Sequence, residues 1–331
     1  MAIMTKRERL EAAIGGEAAD RPPVALWRHF PGDDQDPLHL AQSTVAFQRA
    51  YDFDLIKVTP ASSFCVRDWG VEDRWMGNQE GTRELTAHPV RTAQDWERLS
   101  TLDPEEGALG AQLRCLEAIG ELVGHQVPYI QTIFNPLSQA KNLVGKEHLV
   151  AHLREHPGAV RSGLETITAT IVRFIEAARR RGIAGIFLAV QHASYALLTE
   201  QEYREFGLAL DLRLLEAAAG LWLNVVHLHG ERVMFDLLAD YPVQVWNWHD
   251  RETPPTLREG QKRVPGAVLG GLRQWETMLR GTPHDVAREA ADAIEQTGGR
   301  RFILGTGCVT PITAPWANLR AARRAVEAGW Q

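Results

Sequence analysis

With 331 residues, 44% of them hydrophobic and 24% charged, the chain has material for a sizeable core and the length of one large domain. A net charge of −6 without a long basic run argues against a nucleic-acid partner, because phosphate binding needs clustered Lys and Arg. Three cysteines (Cys65, Cys115, Cys308) cannot build a disulfide framework and point to a reducing compartment. The charged opening from Met1 lacks the apolar stretch of a signal peptide. No segment approaches 18 consecutive apolar residues, so a cytoplasmic protein that spans no membrane is expected.

In chain order, Thr5 to Ile14 reads as a charged helix that Thr5 caps and Gly15-Gly16 end. Asp20-Arg21-Pro22-Pro23 is a turn. Eight short apolar runs follow: Val24–Trp27, Phe53–Val58, Val127–Ile133, Ala184–Val190, Leu223–His227, Val243–Asn247, Ala267–Gly270 and Phe302–Gly305. They are near-continuously apolar rather than alternating, as strands buried on both faces of a parallel sheet are. Between them, Gly163–Arg180 repeats apolar residues every three to four positions, and Glu200–Ala219, Glu231–Asp240 and Asp285–Gln296 behave alike. Arg179-Arg180-Arg181 complements the dipole at a helix C-terminus. The stretch after the second run is too long for one crossover helix. It reads as a loop insertion, Ser62 to Leu99, followed by a helix, Glu105 to Leu122. Alternating strand and helix with eight repeats predicts an α/β protein: a single (β/α)8 TIM barrel over 1–331, its site in the loops after the strands.

The run ends are rich in polar and aromatic residues. The fifth ends in His227-Leu228-His229, and imidazoles at i and i+2 of a strand share a face. With Cys308, after the eighth run, they offer three N/S metal ligands, a set that suits zinc and leaves a position open. The same residues suit a hydrogen-bonded polar pocket around a small buried thiol, which residue type alone favours. Arg28, beside His29 after the first run, is a candidate clamp for a carboxylate or phosphate. His249-Asp250 is a candidate acid–base pair, and His192, beside Gln191, a further candidate. Asn135 is a candidate polar orienter, Asn247 a polar site residue, and Trp248 either floors a planar substrate or packs.

Several segments carry a resemblance. Arg7–Gly16 with Asp20-Arg21-Pro-Pro-Val, Val127–Leu143 with Phe134-Asn-Pro-Leu-Ser, Asn247-Trp248, Pro265–Leu272 and Arg301–Pro311 together resemble the uroporphyrinogen decarboxylase superfamily. That superfamily includes zinc-dependent cobalamin methyltransferases. The resemblance implies a (β/α)8 barrel, usually dimeric. The metal-free decarboxylases carry a second arginine after the first strand, an Asp after the second and Gly-His after the eighth. Here stand His29-Phe30-Pro31, Thr59-Pro60 and Gly307-Cys308. The methyltransferase branch carries His-x-Cys and a later Cys as zinc ligands; here His227-x-His229 and Cys308 stand in those places. The resemblance therefore implies zinc at His227, His229 and Cys308, and a methyltransferase acting on a small or corrinoid-linked substrate, with a corrinoid protein as partner. Arg28 would bind an anion, and His249 or His192 would move protons. The alternatives are a metal-free decarboxylase of uroporphyrinogen or a related carboxylated substrate, and a non-catalytic tetrapyrrole- or corrinoid-binding protein.

Overall fold

The computed structural model describes residues 3–327. The expected span 1–331 and the N-terminal segment beginning at Met1 extend outside the described residues at 1–2 and 328–331. The strands are β1 (Ile56–Val58), β2 (Glu72–Arg74), β3 (Glu84–Ala87), β4 (Tyr129–Phe134), β5 (Gly185–Val190), β6 (Val225–Leu228), β7 (Val245–Trp248), β8 (Ala267–Leu272) and β9 (Phe302–Thr306). Seven of them form one parallel sheet in the order β1-β4-β5-β6-β7-β8-β9; β2 and β3 pair separately and antiparallel.

The barrel expectation holds, with one correction. The first apolar run is not a ladder strand; Val24 makes a single parallel bridge to Leu304. The run still joins the two edges of the sheet. Ala25 N–H donates to Leu304 O at 2.9 Å, and Asp54 N–H donates to Val24 O at 2.8 Å. Pro22 and Pro23 just before it have no N–H to extend a ladder. Buried Asp54 anchors this segment, accepting from Val24 N–H at 2.8 Å and from Arg9 and Arg21 at 2.7 Å each.

Alternation along the strands sorts residues into two cores. Ala25, Trp27, Leu55, Ile130, Phe187, Ala189, Val225, Val245, Leu269 and Ile303 pack together inside the ring. Their neighbours Leu26, Ile56, Leu188, Val226, Trp246, Trp248 and Leu304 pack outward with the helices. Leu10, from the helix Lys6–Gly15, joins the inner cluster and covers the strand-start end.

The connecting helices differ in detail from the sequence pattern. Pro157–Arg179 and Pro283–Thr297 extend the expected helices by a few residues, and Gly107–Val123 matches the helix expected after the insertion. The stretch 200–219 is interrupted by a π-helical segment at Arg204–Leu208, and only Phe235–Leu238 of Glu231–Asp240 is helical. The insertion contains the β2–β3 hairpin and the short helix Ala93–Glu97. The helix Pro37–Tyr51 escaped the periodicity reading, although Asp36 caps it and Pro37 occupies its first turn, both sequence-level start signals.

Candidate metal centre and substrate cavity

Beyond the C-terminal strand ends lies a cavity of about 700 Å³, and strand parity decides who reaches it. Trp27 faces inward, so His29 does too, and it lines the cavity. The same rule carries Phe187 and Ala189 on to Gln191, and Val225 on to His227 and His229, all of which line it.

Parity turns four expected site residues away. Arg28 follows outward-facing Leu26. Its guanidinium lies 5.1 Å from each of the Phe30 and Phe47 rings and donates to Ile312 O at 3.1 Å, outside the cavity lining. His192 follows outward-facing Leu188 and Val190; it is buried outside the lining, where burial pushes it down to about 3. Asn135 is fully buried. It caps the helix Pro136–Val144 through Ser138 N–H at 3.1 Å and donates to Asp211 at 3.0 Å, so it orients that helix rather than a substrate. Trp248 is fully buried against Phe235, donates to Pro255 O at 2.8 Å and packs in the helix layer.

His227, His229, His249 and Cys308 each bring one ligand atom within 4.8 Å of the others. The sequence reading made three of them ligands and His249 a proton carrier; the fold brings all four together. His227 Nδ1–H donates to Asn247 Oδ1 at 2.6 Å, which leaves Nε2 to face the cluster, 3.4 Å from His229 Nδ1. Asn247 is thus a positioning residue one step behind the cavity. Its Nδ2 donates to Leu269 O at 2.9 Å and Thr306 O at 3.1 Å, tying His227 to three strands. His249 is held alike: Nδ1 sits 3.2 Å from Glu252 Oε2, and among the described residues its buried Nε2 has no hydrogen-bond partner. Cys308 Sγ lies 3.7 Å from His229 Nδ1. The loop carrying it can close on His249 because residue 307 is glycine; a Cβ there would sit 2.7 Å from His249 Cα.

The arrangement fits a zinc-type ion. Tetrahedral zinc with N and S ligands holds its nitrogens about 3.3 Å apart and its nitrogen–sulfur pairs about 3.6 Å apart. Two of the six donor separations match closely, His227 Nε2 to His229 Nδ1 at 3.4 Å and Cys308 Sγ to His229 Nδ1 at 3.7 Å, and all six lie within 4.8 Å. Charge agrees. Burial pushes the Cys308 thiol up, but the His227, His229 and His249 imidazoles facing it outweigh burial and hold the thiol well below its usual range. Burial pulls His249 down, but Cys308 and Glu252 raise it to about 10. A lowered thiol beside a raised imidazole favours opposite charges in the cluster, an electrostatic setting that suits a divalent cation.

Many cavity residues fall outside the sequence-predicted set, and three of them bear on the site. Lys57, inward with Leu55, lies 4.8 Å from the Phe187 ring and 5.8 Å from the Trp27 ring, and burial pulls its ammonium down to about 7. A lysine in the run Phe53–Val58, whose one other charge is the buried anchor Asp54, was a legible signal. Lys141, on the helix that Asn135 caps, donates to Gln191 Oε1 at 2.9 Å. Glu80, on the hairpin insertion, accepts from Gln274 Nε2 at 2.9 Å, and burial raises its carboxyl. Gly81 beside it has φ +79° and approaches His29 so closely that a Cβ would lie 2.7 Å from the His29 Cβ, which docks the hairpin on the cavity rim. No periodicity marks Glu80.

With this geometry in place, comparison defines the class. The chain matches the uroporphyrinogen decarboxylase (URO-D) family over residues 5–329 and belongs to it. It is similar to the methylcobamide:CoM methyltransferase MtbA of Methanosarcina acetivorans, with 21% identity over 97% of each chain. It is also similar to the methylcobamide:CoM methyltransferase MtaA of Methanosarcina barkeri, with 22% identity over 97% of each. A solved methyltransferase from Methanosarcina mazei shares the fold with a TM-score of 0.85 at 20% identity, over 97% of this chain and 98% of the other. The protein is thus an enzyme of the URO-D superfamily of methyltransferase-like kind. Among the described residues, no helix is long and apolar enough to cross a membrane.

Proposed function

We propose that this protein transfers methyl groups between a corrinoid and a small acceptor at a zinc centre held by His227, His229, His249 and Cys308. The observation that carries the reading is the convergence of these four donors, two of them oriented by Asn247 and Glu252. When bound, zinc supplies the Lewis acidity that keeps a thiol or similar acceptor deprotonated at neutral pH. The remaining work belongs to the chain. Asn247 holds the His227 tautomer, the Trp27 and Phe187 rings wall one side of the cavity, and Glu80 stands at the rim to receive a proton. The relatives named methylcobamide methyltransferases support a corrinoid as methyl carrier, brought by a partner protein. The decarboxylase reading loses its carboxylate clamp, because Arg28 faces away from the cavity.

The test is elemental analysis of the purified protein with a methyl-transfer assay from methylcobalamin to thiol acceptors. About one zinc per chain is expected, with zinc and activity both lost in C308S and H229A. Full activity in metal-free protein, or carbon dioxide release from a porphyrinogen panel without methyl transfer, would sink the proposal.

A further inference from the structure

Lys57 is only 7% exposed, yet it lines an open cavity and has no acidic partner among the described residues. Its one hydrogen-bond partner is Thr59 Oγ1 at 3.4 Å. The Trp27 and Phe187 rings, packed edge-on at 5.3 Å, give the ammonium a favourable electrostatic surface without neutralising it. Lys141 lines the same cavity and has only the neutral Gln191 amide as partner. A charge withdrawn from water is costly unless it is paired, and buried charges in proteins are normally paired. Neither lysine has a carboxylate partner among the described residues, and Cys308 is the one anionic group that acts on Lys57, so the wall keeps positive charge that a bound anion would neutralise. Of the acidic groups lining the cavity, Glu80 is bonded to Gln274, Glu147 lies beside Lys146, and Glu84 on β3 makes no hydrogen bond or ion pair with either lysine.

We propose that Lys57 and Lys141 form an oxyanion subsite that grips the carboxylate, sulfonate or phosphate of a small organic substrate while its other end reaches the His/Cys cluster. Phe187 fixes the scale. Its ring centroid lies 4.8 Å from Lys57 Nζ and 5.3 Å from the His227 ring, so ammonium and imidazole are at most about 10 Å apart. An anion at Lys57 leaves room for a short linker before the cluster. The subsite takes over the role that the sequence suggested for Arg28. The word substrate rests on the methyl-transfer reading; the anion site does not.

The test titrates the chelator-treated protein calorimetrically with propionate, propane-1-sulfonate and propyl phosphate, and with neutral propan-1-ol. None of these probes has a reacting group, so failure of methyl transfer leaves the outcome intact, and failure of anion binding leaves methyl transfer standing. At least one anion is expected to bind about tenfold or more tighter than the alcohol, as a charge-assisted contact in a desolvated site should. The preferred headgroup identifies the substrate's. K57M should abolish the preference, K57R keep part of it and K141M weaken it. K57M should also melt at a higher temperature than the parent, because it removes a desolvated charge; a loss of binding through unfolding would lower it instead. Absence of any anion preference in the parent, or the same preference in K57M, would overturn the proposal.

Discussion

Replacing Asn247 with alanine tests whether His227 is held from behind. The side chain makes three buried hydrogen bonds, to His227 Nδ1 at 2.6 Å, Leu269 O at 2.9 Å and Thr306 O at 3.1 Å. Losing them strands the His227 N–H in a dry interior, at about 1–3 kcal/mol, and forfeits about 0.5–1.5 kcal/mol at each carbonyl. Asn247→Ala should therefore destabilise the protein by about 2–6 kcal/mol, read from urea unfolding. With its tautomer and rotation released, His227 should also lose zinc about 10- to 100-fold more readily in competition with a chelator. Asn247→Asp separates the effects. It keeps the acceptor for His227 but aims a carboxylate at two carbonyl oxygens, so stability should fall while zinc affinity holds within a few-fold. An Asn247→Ala protein with unchanged unfolding and zinc affinity within about twofold of the parent refutes the reasoning.

Three further outcomes follow from where the side chains point. Arg28→Met should leave KM within about twofold and cost about 1 kcal/mol of stability, since its guanidinium serves Phe30, Phe47 and Ile312 O and not a substrate. A tenfold rise in KM would restore Arg28 to the site. Trp248→Phe should cost about 1–3 kcal/mol through the lost bond to Pro255 O and the gap it leaves, with kcat and KM untouched. Asp211 supplies a pH signature. Burial pushes it up to about 6, against hydrogen bonds from Tyr203, Asn135 and Tyr241. A carboxyl raised in the folded state contributes stability fully present below about pH 4 and lost as pH rises through 6, here about 3 kcal/mol. Subtracting the pH profile of Asp211→Asn from the parent's should expose that slope; a flat difference would contradict it.

How far the site was legible can be followed residue by residue. His227-x-His229 was readable because i, i+2 spacing holds wherever a strand forms, and Cys308 because a cysteine beside a glycine after the last strand is conspicuous. Polarity at the strand ends also flagged Arg28, His192, Asn135 and Trp248, but it says nothing about direction. Alternation supplies that as soon as one residue of each run is known to point inward. Trp27 inward puts Arg28 out, and Val245 inward puts Trp248 out. Lys57 was passed over although a charge inside an apolar run is itself a signal.

By itself, the sequence determined the alternation of buried strands and amphipathic helices, hence the barrel, and the pair of histidines that share a strand face. These are local properties, set by periodicity and side-chain chemistry within a few residues. Only the tertiary structure added His249 to that pair and Cys308, set Glu80 at the rim, and left Lys57 and Lys141 without a carboxylate partner among the described residues. Those relations join residues up to hundreds of positions apart. They depend on how the ring closes and how the hairpin docks, which no local pattern encodes.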